Sequence, residues 1–594
     1  MAHIPCTYIP IKGNNSKNVA YNPAPGGVSL SDDSRVSAEN KCLMMHNFDV
    51  LTGRIAARNC QRTVAEDCNM SGEFHGMNRE LFCGKTFIHA GTCLYSYEED
   101  GKVTLLSSIL PDKDSLFCEF MSKLYIYCDR HIFSVNNVFE FAEEEPFAPI
   151  MYENVTPSSS RPARLDVPYN MLSPRITVSY KSSDVSYFSL PLDADVSRGV
   201  RVYEDDEEID SSIYTVEEGS VTINHKNYVG LRVVKISYYV KNENEMKFDG
   251  FVSGCRLVTS FGGDMNGGTR IFFTGNDGDK GKYYKSKLMD PLFVPSDEFE
   301  IIGNGSENIT SLKKMYGDLV VFTVRSVYRM GYSLSQDGTF FSVKEISNGI
   351  GCDCPASVQL IDNRVVFLNS EKGVFIVDST ENTGEQNIKP IGKNILKGSG
   401  CGLLDNPGQT LKDANSLDFD RKYMLFVGNR AYIWDYNASG FVDYGNYSVA
   451  QERLVWYMYD GISGDIFFET KDGLTSFTKK DAEFHVFDAK GEKTDVSCRY
   501  VSGVIEEMFP FVKKIVTGIS MMIYTEKNSN YSISLFADGQ KYYEAALTKY
   551  GKECKQKIKL KLPAKDLYGF SFEICGNGGI EIEQMLFDFI VIND

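Results

Sequence analysis

Apolar residues in this chain fall in short runs that come in pairs, each pair split by a polar or glycine-containing turn. In "YGDLVVFTVRSVYRMGY", Tyr316 to Tyr332, two β-rich runs flank such a turn. The pattern recurs in "KTFIHAGTCLYSY" from Lys85, "KLYIYCDRHIFSV" from Lys123, "RIFFTGNDGDKGKYYKS" from Arg270, "NRVVFLNSEKGVFIVD" from Asn363, "RKYMLFVGNRAYIWDY" from Arg421 and "GDIFFETKDGLTSF" from Gly464, which with Asp318 onward makes seven candidate hairpins. Alternation such as Val366 to Asn369 predicts strands, and the 3.6-residue period of an amphipathic helix is almost absent.

Apart from one long gap the hairpins recur roughly every 40–60 residues, the spacing of four-stranded propeller blades. One twisted blade cannot cover both its faces, whereas blades stacked in a ring bury one another. The pattern therefore predicts an all-β chain built on a β-propeller of about seven blades.

The long gap predicts an insertion. After the linker "TPSSSRPARLDVPYN", about six short strands such as "PRITVSY", "YTVEEGSVTINH" and "VVKISYYV" suffice for a small Ig-like sandwich. Beyond Ser497, alternating segments including "IVTGISMMIYTE" and "QKIKLKLPA" predict a terminal β-sandwich. The first 40 residues, rich in Asn, Ser, Pro and Gly with isolated apolars such as Ile9 and Val28, read as an extended arm, disordered or docked on a neighbouring subunit. The expected layout is thus an arm over 1–40, propeller over 41–164 and 249–496, the insert over 165–248 and the terminal sandwich over 497–594.

At 594 residues the chain exceeds what one core usually supports, and no apolar run reaches the roughly 18 residues of a membrane span. The amino terminus shows neither the basic start nor the apolar stretch of a secretory signal, so synthesis and folding in the cytoplasm are expected. The sequons at Asn154 and Asn437 then read as chance matches. The 15 cysteines follow no disulfide framework and are expected to be reduced and mostly buried. The net charge of −18 excludes a protein that grips nucleic acid by its phosphates, but not one past which nucleic acid slides. The acidic runs "FAEEEPF" near Glu143 and "YEDDEEID" near Asp205 read as solvated loops or strand ends.

Candidate chemistry is thin. Zinc needs four converging ligands, and only Cys352 and Cys354 lie close, placed by their spacing on one strand face. Cys83 with Cys93 and Cys118 with Cys128 share a spacing that suits adjacent strands of related hairpins. His46, His75, His89 and His131 accompany no nucleophile elbow, and phosphate-cradling and dinucleotide glycine patterns are missing. His89, within "FIHAGT", reads as a satisfied strand histidine. "SQDGTF", Ser335 to Phe340, is a shortened relative of the aspartate-box turn of sialidase-like propellers, and a hairpin turn accounts for it better than a glycosidase does. Asp264, Asn266, Asp277 and Asp279 could offer oxygens to calcium, but their spacing completes no calcium loop and the neighbouring glycines explain the composition through tight turns. Trp434 and Trp456 sit in strand-like runs and are expected in the core. No catalytic, cofactor-binding or metal residue is assigned, and the chain reads as non-enzymatic.

The succession from Gly268 to Met330 carries a resemblance. A Gly275-Asn276 turn, the aromatic strand of Tyr283 and Tyr284, the segment Asp290, Pro291, Phe293 and Pro295, Gly303 with its polar loop, and the hairpin Asp318 to Tyr328 follow in an order that resembles structural proteins of tailed bacteriophages and prophages of Gram-positive bacteria. The likeness covers most of Glu73 to Asp378. Its layout is similar to propeller-containing tail hub, nozzle and DNA-stabilisation proteins, and it brings no catalytic residue. The resemblance implies a virion protein at the tail or portal vertex, made in the bacterial cytoplasm. Such subunits would form a homo-oligomeric ring against portal, adaptor or other tail proteins and pass double-stranded DNA without specific binding. The alternative is a glycan-binding receptor or adhesion propeller of the tail. An intracellular scaffold would want WD or kelch signatures, which are absent.

Overall fold

In Asp318–Thr323 and Ser326–Ser335, β-branched and aromatic side chains pair across an antiparallel register, Val320 with Arg329 and Val321 with Tyr328. The turn between them is held by the Ser326 amide donating to the Thr323 hydroxyl at 3.0 Å. The computed structural model describes residues 16–592 apart from 24–26, 31–40, 52, 58–60, 64–71, 79–80, 99–102, 225–229, 242–250, 264–267, 336–337, 379–386, 399, 420, 429, 437–441, 449–456, 460–465, 471–472, 478–484, 488–492, 496, 506–511, 527–528 and 548–553. The described chain is all-β, its helices limited to short pieces such as Gly408–Lys412. Each of the seven hairpins supplies the middle pair of a set of four antiparallel strands.

The chain divides into two units, residues 70–351 and residues 1–69 with 352–594. Four of the sets lie in the first unit. Their first strands, Phe74–Met77, Ser115–Phe120, Leu257–Phe261 and Ile309–Met315, run side by side in that order. Every residue of the second strands Thr86–Ala90 and Asp318–Thr323 is buried, whereas the fourth strand Phe299–Ile301 exposes Phe299 and Ile301. Sheets stacked face to face give this gradient, with middle strands covered on both sides and the last strand at the rim.

Between the second and third sets lies the insertion, two sheets covering Ile150 to Val240. One contains Ile150–Val155, Arg175–Tyr180, Val234–Val240 and Arg201–Glu204, and the other Tyr187–Ser189, Ser220–Ile223 and Tyr214–Glu217. The expected start at residue 165 misses Ile150–Val155, which pairs in parallel with Arg175–Tyr180 and so belongs to the insertion. Val178, Val202, Ile236 and Tyr238 share one continuous core with Tyr127, Ile271 and Phe273 of the flanking sheets.

Asn170 pins that junction. Its amide donates to Phe147 O at 2.8 Å and Leu292 O at 2.7 Å, and its oxygen accepts from the Leu172 and Val294 amides at 3.1 and 3.0 Å. Asp290 in turn accepts from the Leu292 amide, Tyr127 donates to Pro291 O, and Phe293 packs on Phe147 with centroids 4.9 Å apart. The "DPLFVP" segment is therefore a clasp between insertion and repeat sheets. Gly303 has a physical role too, since its φ of 61° is left-handed and a Cβ there would lie 2.5 Å from the Tyr328 hydroxyl.

The second unit holds the other three sets. One is Gln359–Ile361 with the strands to Ile388–Ile391, and another is Asn415–Phe419 with those to Val442–Ser448. The last, Tyr457–Tyr459, Ile466–Thr470 and Gly473–Phe477, takes its fourth strand from Gln61–Thr63.

Here the structure corrects the arm. Ser16–Tyr21 pairs antiparallel with Ile580–Val591, and Arg54–Ala57 continues along the same edge. Cys42–His46 pairs with Ser497–Ser502 and touches Val442–Ser448 at His46, joining a four-stranded set to the terminal sandwich in one nine-stranded sheet. Thus the described part of the arm docks on its own chain, and Cys42–His46 and Arg54–Ala57 pair with the terminal strands Ser497–Ser502 and Ile580–Val591 instead of with the sets that follow them in sequence. Covering an edge strand that would otherwise stay open is the physical gain. Tyr21 seals it, with its ring against Phe572 at 5.3 Å and its hydroxyl 2.9 Å from that of Tyr500.

Candidate functional sites

The residues weighed from sequence mostly take structural places. His89 is fully buried on Thr86–Ala90, its Nδ1 3.1 Å from the Ser115 hydroxyl and its ring 5.1 Å from that of His75. His75 meets Asp112 at 2.7 Å and Asp114 at 3.5 Å. This cluster bridges the first set and the entry strand of the second. Burial, and then the neighbouring His75, push the His89 pKa from 6.5 down to about 4. A Ser–His pair needs an orienting group on the second ring nitrogen. The buried Nε2 of His89 has no hydrogen-bond partner among the described residues, so the strand histidine expected to be satisfied is satisfied at Nδ1 alone.

Asp277 pairs with Arg256 at 2.6 Å and accepts from Asn308. Asp279 accepts from Lys282 and Tyr284, and although burial opposes it these bonds hold its carboxyl below the ordinary range. Asp264 and Asn266 lie outside the described residues, as do Gln336 and Asp337 of "SQDGTF", Asn437 and Trp456. No group of three or more metal-ligating side chains occurs among the described residues. Trp434 is fully buried and packs on Tyr423.

Cys118 and Cys128 lie on adjacent paired strands as the spacing argument expects, whereas the other cysteine pairs do not. Cys83 occupies an exposed turn at φ 49°, while Cys93 opens a strand. Cys352 and Cys354 sit in a loop before the turn Pro355–Ser357, and the Cys352 thiol donates to Cys354 O, so a buried loop and not a strand face sets their geometry. The cysteines whose side chains are described are free. In the acidic run near Glu143, Glu143 lies on His131, Glu144 pairs with Lys123 and Glu145 with both Arg175 and Arg201. In the second run Glu204 pairs with the buried Arg232 and Asp206 with Lys235.

Two recesses lie in the terminal unit. One, of about 220 Å³, is lined by Val28, Leu30, Met45, Ile395 and Tyr432, with Arg430 and Arg499 among its polar members. The Arg499 guanidinium is already 2.6 Å from Glu573. The other, of about 210 Å³, is lined by Arg54, Tyr524, Lys555, Glu581 and Glu583. Sequence reading placed Tyr524 in a strand-like run, singled out neither Arg54 nor Lys555, and missed the convergence of the five residues. The one available signal was the alternation of lysines from Lys555 to Lys561.

Fold and surface define an all-β protein of repeated four-stranded antiparallel sheets. No protein-family model matches the chain, and no curated protein does. Among solved structures it is similar to a streptogramin B lyase, at 10% identity over 70% of this chain and 96% of that one, with a TM-score of 0.35. The β-propeller domain of Cps50 (Swd1) from Myceliophteria thermophila matches at 9% identity, 70% and 99% coverage and a TM-score of 0.28. AztD from Citrobacter koseri matches at 9%, 70% and 98%, with 0.29. No helix among the described residues is long and apolar enough to cross a membrane.

Proposed function

We propose that this chain is a non-enzymatic structural protein of a bacteriophage virion, a ring-forming tail hub, nozzle or head-to-tail stabilisation protein that lines or extends the DNA channel. On this reading the seven four-stranded sets are blades of one β-propeller, the insertion is an Ig-like contact domain, and the terminal sandwich faces neighbouring proteins. The observation that carries it is the "DPLFVP" clasp, because the segment that resembles the phage proteins is also the one that fastens the insertion to the repeat sheets. Rigid blades make a wall, and a net charge of −18 lets DNA pass without adhering.

Portal, adaptor or other tail proteins are the proposed partners, and the virion tail or portal vertex the proposed location. Quantitative mass spectrometry of purified particles tests the proposal by counting this chain against the portal subunit. A comparable copy number supports a place in the channel, a large excess points to tube or fibre, and complete absence from particles overturns the virion role.

A further inference from the structure

We propose that the outer face of the terminal sandwich binds an anionic polysaccharide, seating one sugar ring on Tyr524 and guiding the charged chain along the lysines of Cys554–Lys561. The inference goes beyond the virion proposal and does not rest on it. Cys554–Lys561, Lys514–Thr525 and Ile580–Val591 are adjacent antiparallel strands, and Tyr524 stands between Lys555 on one side and Glu581 on the other. From the next strand Arg54 places a guanidinium nitrogen 3.1 Å from Glu581, while Lys555 pairs with Glu583. The resulting recess of about 210 Å³ is smaller than the roughly 300–1,000 Å³ of sites that enclose drug-sized ligands. It suits a single ring.

Tyr524 is 36% exposed there, an aromatic surface flanked by two cations and two carboxylates. A bare anion gains little in such a setting, because Glu581 and Glu583 repel it, so a uronate ring seated there turns its own carboxylate away from them toward the lysines. A pyranose fits better: its C–H face packs on the phenol ring, and its hydroxyls donate to carboxylates and accept from Arg54 and Lys555.

The second observation is independent of the recess. Lys555, Lys557, Lys559 and Lys561 alternate with Gln556, Ile558 and Leu560, so four exposed ammonium groups leave the strand on the face that Tyr524 shares. Successive lysines stand about 6.8 Å apart, two residues of antiparallel strand. Among the described residues no carboxylate pairs with Lys557, Lys559 or Lys561. In a chain of net charge −18 they form a local track for a polyanion. Lysines on an edge strand also discourage pairing with another sheet. That role needs charge at any point along the edge, and does not account for alignment with an exposed tyrosine and a recess at one end.

The test uses the full-length protein at low ionic strength, titrated calorimetrically with defined oligomers of polygalacturonate, alginate and heparin. Neutral dextran and a single-stranded oligodeoxynucleotide of matched charge serve as controls. At least one acidic oligosaccharide is expected to bind, more tightly than dextran and the oligonucleotide. Tyr524→Ala and the triple variant K557E/K559E/K561E should each weaken it about tenfold or more, with Tyr524→Phe retaining binding and the triple variant losing the salt dependence. Thermal melts of each variant establish that the fold is intact. Binding to none of the three glycans, binding indifferent to Tyr524→Ala in a folded variant, or equal affinity for the oligonucleotide would each overturn the proposal.

Discussion

The insertion and the terminal sheets are joined to four-stranded sheets to different extents. The insertion is continuous in sequence and held by a local clasp, in which the Asn170 side chain, a shared apolar core and a few backbone bonds such as Met171 N to Val294 O and Ser296 N to Tyr169 O act together. The terminal sandwich is held by backbone, with Cys42–His46 a rung of a nine-stranded sheet and Ser16–Tyr21 and Arg54–Ala57 sealing one edge of Ile580–Val591. A clasp of a few bonds can fail locally and leave both partners folded. A missing strand opens a sheet edge and uncovers the core behind it.

The sharpest way to break the contrast is to delete residues 1–30. Loss of Ser16–Tyr21 is expected to cost more than about 5 kcal/mol, read as aggregation and loss of a cooperative melt of the terminal sandwich. Tyr21→Ala alone should cost about 2–3 kcal/mol, below the range for a fully buried aromatic because Tyr21 is only partly buried, by denaturant unfolding. If the deletion melts like the intact chain, the woven junction is not what holds this sandwich.

Asn170→Leu should cost about 3 kcal/mol by leaving buried amides and carbonyls unpaired. Hydrogen exchange would then rise across 150–240 and leave the terminal sandwich protected. Uniform exchange would show that the insertion and its neighbours unfold as one.

A third test sharpens the junction at His89. Its folded pKa lies below 6.5, so the unfolded chain binds the extra proton between pH about 6.5 and 4. The stability that neutral His89 sustains is therefore complete above that window and lost as pH falls through it. His89→Gln should flatten the drop in Tm over that range, relative to the natural chain measured alongside. Smallest of all, Glu143→Gln removes only an exposed pairing with His131 and should change stability by less than about 0.5 kcal/mol.

The same contrast governs what could be read from residues alone. All seven middle pairs were legible, because strands such as Lys422–Val427 are buried on both faces and read as continuous apolar runs. First and fourth strands such as Ile388–Ile391 are half exposed and mixed, so the sets of four were inferred from spacing. "SKNVAY" was hidden for a related reason, since an edge strand needs only an occasional apolar contact such as Tyr21. Ile150–Val155 was hidden because its partner lies beyond a proline-rich linker. The Tyr524 recess draws on four strands from both ends of the chain, and no local pattern announces such a convergence.

The fourth strand of the set at Ile466–Phe477 has a consequence for the order of synthesis. Gln61–Thr63 leaves the ribosome some 400 residues ahead of Gly473–Phe477, the strand it must pair with. At about 5–20 residues per second that is a wait of roughly 20–80 s. Ser16–Tyr21 waits longer still, until Ile580–Val591 is made. The newborn chain must therefore carry its first segment unpaired while the hairpins between form by local contacts. Translation speed and chaperone occupancy at that segment, more than the stability of any one sheet, would then set how much correctly closed protein a cell obtains.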